Sequence, residues 1–297
     1  MSPTTKHKAL LLGEHETILG IATEPAVLDP EKPICLVLNA GIIHRIGAHR
    51  NAVNIARALA EAGFLVVRLD LSGIGDSPRR RDALDFGASA VADVREVMDH
   101  LSSLYATPRF VAIGLCSGAD NAFQTAIVDD RLVGAVFLDG YAYPTNAFRL
   151  RDLARRARAQ RDAATLVRKV AGNVVERAIT LGQERLPQLF GAPSSESPPS
   201  GPPPAVPDYV REFPPRDEVA PQLKALVGRD FRMLWLYTGG VLSYFNHEGQ
   251  FRDSFPDVDF RECLDVVYVE NSNHTATALR SQRQIRDAIT AWASRRF

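Results

Sequence analysis

The sequence predicts an α/β fold: a mostly parallel sheet with helices on both faces and a helical insertion. Three features carry this expectation. Short apolar runs alternate with segments of helical spacing. Those runs are apolar on both faces, as strands of a covered parallel sheet must be. The alternation stops near residue 146 and resumes after 208.

Taken in order, residues 8–23 alternate around the Gly13–Glu14 turn signal and predict an opening hairpin. Ile34–Ala40 (ICLVLNA) reads as a buried strand, and Arg50–Ala62 as a helix stopped by Gly63. Leu65–Leu71 is the next strand. A helix follows with Val91, Val94, Met98, Leu101 and Tyr105 on one stripe. Phe110–Leu115 runs as a strand straight into the helix pattern Ser117–Val128, and Gly134–Gly140 is a further strand. The late alternation supplies Arg232–Thr238, Leu264–Glu270 and a closing helix carrying Ile285, Ile289 and Trp292.

Between the two blocks, residues 146–190 read as helical, and the Pro/Ser-rich stretch 191–208 cannot hold regular structure. The expected organisation is one catalytic core, 1–145 with 209–297, and a lid over 146–208.

Composition narrows the partners. The 297 residues hold 45% hydrophobic and 24% charged side chains, enough for a large core beneath a polar surface. Thirty-five basic and thirty-five acidic residues cancel, so overall charge favours neither nucleic acid nor a membrane surface. No apolar run suits a signal peptide or a membrane span. Three cysteines, at 35, 116 and 263, have no metal-ligand spacing, and their odd number suits a reducing compartment. A cytoplasmic protein without metal or cofactor is expected.

The most informative stretch is Gly114-Leu115-Cys116-Ser117-Gly118, between a strand and a helix. A nucleophile elbow is a sharp turn with a strained central residue, so the positions two away on each side must be small. The glycines centre it on Cys116; a centre at Ser117 would place Leu115 and Ala119 at the flanks. A helix N-terminus and a nearby imidazolium both favour thiolate, and the Ser117 N–H becomes one oxyanion donor. A cysteine in a plain buried turn is the competing reading.

The order of elements, this elbow and Asp70-Leu-Ser-Gly-Ile-Gly-Asp76-Ser resemble the α/β-hydrolase superfamily. Gly41-Ile-Ile-His-Arg-Ile-Gly-Ala-His-Arg50, with Gly114-Leu-Cys, is similar to hydrolases found with bacterial exosortase systems and biosynthetic clusters. The resemblance implies an α/β-hydrolase fold and acyl chemistry. It places the catalytic histidine after the last strand, at His274, and the second oxyanion donor at the Ile42 N–H, after Ala40-Gly41. The acid usually follows the strand ending at Thr238, but Gly239–Asn246 has no early carboxylate. The other position known in the superfamily is Asp139, with Glu248 as the second candidate. Asp70 and Asp76 read as turn-formers. His44 and Arg45 are candidate substrate contacts.

From Arg149 to Arg185 there are ten basic residues against four acidic. Charge runs of this kind are usually solvated helix faces; the functional reading is attraction of an anionic acyl donor, carried by coenzyme A or a carrier protein. The expected activity is acyl hydrolysis or acyl transfer on an ester or thioester through a Cys116 thioester, with His274 as base. The alternative is a binding protein that kept the fold and lost catalysis. Halide displacement on the same fold is disfavoured because it needs a carboxylate at the elbow.

Overall fold

The computed structural model describes residues 5–161 and 211–297. The chain divides into two compact units, residues 1–148 with 213–297, and residues 149–212.

In the first unit, β1 (Lys6–Leu12) and β2 (Ile18–Glu24) form the antiparallel hairpin predicted around Gly13. There follow β3 (Ile34–Val37), α1 (Asn51–Glu61), β4 (Val66–Leu69), α2 (Phe86–Tyr105), β5 (Phe110–Leu115), α3 (Ser117–Val128) and β6 (Leu132–Leu138). After the second unit come α4 (Arg216–Gly228), β7 (Arg232–Thr238), the short α5 (Gln250–Ser254), β8 (Leu264–Val269) and α6 (Leu279–Arg296).

The eight strands form one sheet in the order β1-β2-β4-β3-β5-β6-β7-β8. The strands from β4 to β8 in that order run parallel, and β2 joins β4 antiparallel. Helices α1 and α6 cover one face with Ile55, Leu59, Ile285, Ile289 and Trp292. Helices α2, α3 and α4 cover the other with Val94, Met98, Phe123, Leu223 and Leu226. Each such side chain removed from water contributes on the order of 2 kcal/mol before chain entropy is charged against it.

Strands β3 and β4 are shorter than the apolar runs 34–40 and 65–71 that predict them, and two further details differ from the periodicity. Helix α2 buries Ala90, Asp93, Val94, Val97, Met98 and Leu101, whereas Val91 and Tyr105 stay half-buried. Asp93 turns inward because its carboxylate accepts from the Ser72 N–H at 2.7 Å, from Ser72 Oγ at 2.9 Å and from Arg80 at 2.8 Å. Strand β6 ends at Leu138 rather than Gly140, because Asp139 takes a left-handed φ of 50°, which no strand continues through.

In the second unit, residues 149–161 are helical. Asp152 pairs there with Arg155 at 2.5 Å and Arg156 at 2.7 Å, which neutralises part of the cationic run. The remainder of the expected lid, with Arg168, Lys169, Arg177 and Arg185, lies outside the described residues. Among the described residues no helix is long and apolar enough to cross a membrane.

Candidate active site

The site lies at the carboxyl ends of β3, β5, β6, β7 and β8. In an open parallel sheet these ends face a common crevice that no side chain of the sheet itself can fill. Strand β5 passes into α3 through Cys116, held at φ 55° and ψ −120°. That left-handed conformation is costly for a residue with a Cβ, and it lifts the side chain clear of the sheet. The flanking glycines are sterically obligatory. A Cβ on Gly114 would stand 2.1 Å from the Gly118 carbonyl, and one on Gly118 would stand 2.4 Å from the Asn39 carbonyl oxygen.

Ser117 is the first residue of α3 and is buried. Its Oγ accepts a hydrogen bond of 2.7 Å from the Gly41 N–H. The hydroxyl therefore fastens the turn after β3, which carries Ile42, to the start of the elbow helix. The turn itself closes through Ile43 N–H to Ala40 C=O at 3.0 Å, with Gly41 at φ 55°. This role of the Ser117 side chain has no sequence signal, because it depends on a residue 76 positions away.

His274 follows β8. Its Nδ1 lies 2.7 Å from Asp139 Oδ2, and its ring is hydrogen-bonded to Cys116. The bond to Asp139 and then the bond to Cys116 raise the imidazole pKa to about 9, against an opposing contribution from partial burial. Asp139 is fully buried. Its carboxylate also accepts from the Thr238 N–H at 2.7 Å and Thr238 Oγ1 at 2.8 Å, while Tyr244 Oη donates to its carbonyl at 3.2 Å. Glu248 is exposed in the segment before α5.

The end of β7 serves a different purpose from the one its place in the sheet suggests. It carries no carboxylate, but Thr238 orients the acid supplied by the neighbouring strand. Gly239 and Gly240 then let the chain pass close under the histidine loop. A Cβ on Gly239 would stand 1.9 Å from the Glu270 carbonyl oxygen, and one on Gly240 would stand 2.2 Å from the His274 amide nitrogen. A side chain at either position would push His274 out of register with Asp139.

His44 and Arg45, the expected substrate contacts, line the same small cavity as His274, and both are also engaged with carboxylates. Arg45 donates from its N–H to Asp70 Oδ1 at 2.7 Å, and from its guanidinium to Asp70 Oδ2 and, at 2.7 Å, to Asp76 Oδ2. His44 Nε2 lies 3.4 Å from the same Asp76 oxygen. Arg45 and then His44 hold the Asp76 carboxyl below the usual carboxylate range. Asp70, read from sequence as a turn-former, is a fully buried hub. It also accepts from Asn39 Nδ2 at 3.2 Å and the Asp76 N–H at 3.1 Å, and its carbonyl accepts from Ser77 Oγ at 2.6 Å. His44, Asp70 and Asp76 offer three ligand atoms within 4.8 Å of one another, but Arg45 already supplies the positive charge that this group would ask of a cation.

A small cavity of about 60 Å³, lined by Leu38, Ala40, Leu115, Leu138, His274 and Ala276 among others, reaches the imidazole.

A family model described as the alpha/beta hydrolase fold matches residues 36–204, more than half of the chain. The chain belongs to the α/β-hydrolase family. Similar solved structures include an esterase from Pyrococcus furiosus, at 12% identity and TM-score 0.55, covering 99% of this chain and 91% of that one. The esterase domain of a Rhodothermus marinus protein reaches 14% identity and TM-score 0.55 over 98% and 99%. An alpha-beta serine hydrolase homologue from Coxiella burnetii reaches 11% and 0.53 over 98% and 97%. At such identities the likeness is one of fold. No curated protein matches the sequence. Within this α/β-hydrolase fold, the residue at the elbow is a cysteine, and the serine beside it faces inward to hold the Gly41 turn.

Proposed function

We propose that this α/β hydrolase cleaves an ester or thioester through a covalent Cys116 acyl-enzyme. The carrying observation is His274, bonded on one side to the elbow thiol and on the other to the buried carboxylate of Asp139. A histidine that keeps its proton to about pH 9 favours an imidazolium–thiolate pair at neutral pH.

In the first half-reaction Cys116 Sγ forms a bond to the acyl carbon, and the carbonyl electrons move onto oxygen. The Ser117 and Ile42 N–H groups receive that oxyanion. As the carbonyl re-forms, the bond to the leaving alcohol or thiol breaks and His274 Nε2 gives up its proton to it. In the second half-reaction water attacks the thioester, His274 takes the water's proton, and the thiol is regenerated with release of the acid. Esterases among the structural neighbours support an ester as substrate. A donor carried by coenzyme A or a carrier protein is the finer form of the same reading, and the cationic run in the sequence from Arg149 to Arg185 is what favours an anionic one.

Intact-protein mass after incubation with a panel of acyl esters and thioesters tests this. Wild type is expected to gain the acyl mass, or to turn over, and Cys116→Ala to do neither. An adduct stable in water but discharged by amines or alcohols would make the second step a transfer. If neither adduct nor turnover appears and Cys116 also resists iodoacetamide, the protein is a binding module on a hydrolase scaffold.

A further inference from the structure

Packing does little to hold the turn after β3 that carries the Ile42 N–H. The Ile42 side chain is 90% exposed. Gly41 sits at φ 55°, and among the described residues nothing lies within 4 Å of where a Cβ would stand on it. The turn therefore keeps its shape mainly through hydrogen bonds, and these grip it from two sides. On one side the Ser117 hydroxyl accepts from the Gly41 N–H at 2.7 Å. On the other, Asn39 Nδ2 donates to the Ile43 carbonyl at 2.9 Å. The Ile42 N–H lies in the chain between these two anchored groups.

Asn39 stands two residues beyond β3 and is buried. Its amide cannot be turned over. Oδ1 accepts at 2.8 Å from the Leu71 N–H, which can only donate. Nδ2 meets the Ile43 carbonyl and, at 3.2 Å, Asp70 Oδ1, both of them acceptors. A flipped amide would set donor against donor and one acceptor against two others, where unmade hydrogen bonds are costly. The main chain of the same residue lies close against the elbow. Its carbonyl oxygen is the atom that a Cβ on Gly118 would meet at 2.4 Å. Asn39 thus borders the elbow through its backbone and holds the Ile42 turn through its amide.

We propose that the Asn39 amide is a positioning group of the oxyanion hole, acting with the Ser117 hydroxyl to set the spacing between the Ile42 and Ser117 N–H groups. This rests on the reading of those two N–H groups as the oxyanion donors. Such donors act because they are fixed in advance where negative charge will develop, so a loosened donor loses much of its effect. Asn39 touches no reacting atom; its influence passes through the Ile43 peptide.

Two reactions of Cys116 in the full chain separate this role from a general loss of site geometry. Acylation by an accepted ester or thioester passes through an oxyanion, whereas alkylation by iodoacetamide displaces iodide and forms none. Asn39→Ala is expected to slow single-turnover acylation at saturating substrate by roughly tenfold or more, with alkylation within about twofold of wild type. Ser117→Ala keeps the backbone donor and removes only the hydroxyl that grips the turn from the other side. The same split is expected there, which keeps the pair testable if Asn39→Ala does not fold. A smaller fall in acylation in either folded variant would overturn the proposal. An equal fall in acylation and alkylation would also overturn it, since it would mark damage to the thiol or imidazole. Wild type that acylates beside unimpaired variants sinks this inference alone; wild type that takes up no acyl group sinks the acyl-enzyme reading and this inference with it.

Discussion

Two aspartates, Asp70 after β4 and Asp139 after β6, are both fully buried at the carboxyl edge of the same sheet, yet they are built for different tasks. Each carboxylate is gripped by backbone and side-chain donors: Asn39, Arg45 and Asp76 for one, Thr238 for the other. What differs is the charged partner. Asp70 faces Arg45, whose guanidinium stays charged at every accessible pH, so the pair can only hold structure together. Asp139 faces His274, which gains and loses a proton within reach of physiological pH. A buried acid becomes part of chemistry when its partner titrates.

The sharpest way to break this comparison is to neutralise each acid in turn. Asp139→Asn is expected to lower kcat/KM on an accepted ester or thioester by about a hundredfold or more, because the imidazolium loses its counter-charge and its preferred tautomer. Steady-state kinetics on a variant whose circular dichroism matches wild type checks this. A loss under fivefold would mean that the acid is dispensable beside a thiol.

Asp70→Asn is expected to act on stability. Arg45 would be left largely buried and undercompensated, at a cost of about 3 kcal/mol. Denaturant titration reads that loss, and the folded fraction is expected to keep kcat within severalfold of wild type. A large fall in kcat at unchanged stability would place Asp70 in the reaction instead.

A smaller effect concerns pH. The His274 pKa is raised on folding, so the native state holds a proton that the unfolded chain releases at ordinary imidazole pH. This contribution is fully present below about 6.5 and fades as pH rises through about 9. The stability gap between wild type and Asp139→Asn is therefore expected to narrow over that window, read by urea titrations at stepped pH. A gap that stays constant would show that the Asp139–His274 bond does not depend on the imidazole charge.

The range of the forces involved decides how much of the fold and the site can be read from the amino-acid sequence. The elbow could be read because its steric demand is local: Gly114 and Gly118 are within two residues of Cys116, and both are needed to avoid backbone collision. Strand and helix order could be read because burial on one or two faces imposes a period. Helix α4 has no counterpart among the sequence expectations, since Pro221 interrupts its pattern. The place of His44 and Arg45 after the first core strand could be read, but their partners Asp70 and Asp76 could not, because these come from the loop after β4, some 25 to 32 residues on.

The residues alone therefore determined the strands, the helices α1, α2, α3 and α6 and the strained turn at Cys116, since each is imposed by neighbours a few positions away. The tertiary structure decided which acid faces His274, that Thr238 grips it and that the Ser117 hydroxyl holds the Gly41 turn. Those are pairings of charge and hydrogen bond between strands up to 135 residues apart, and only the order of strands in the folded sheet brings them into range.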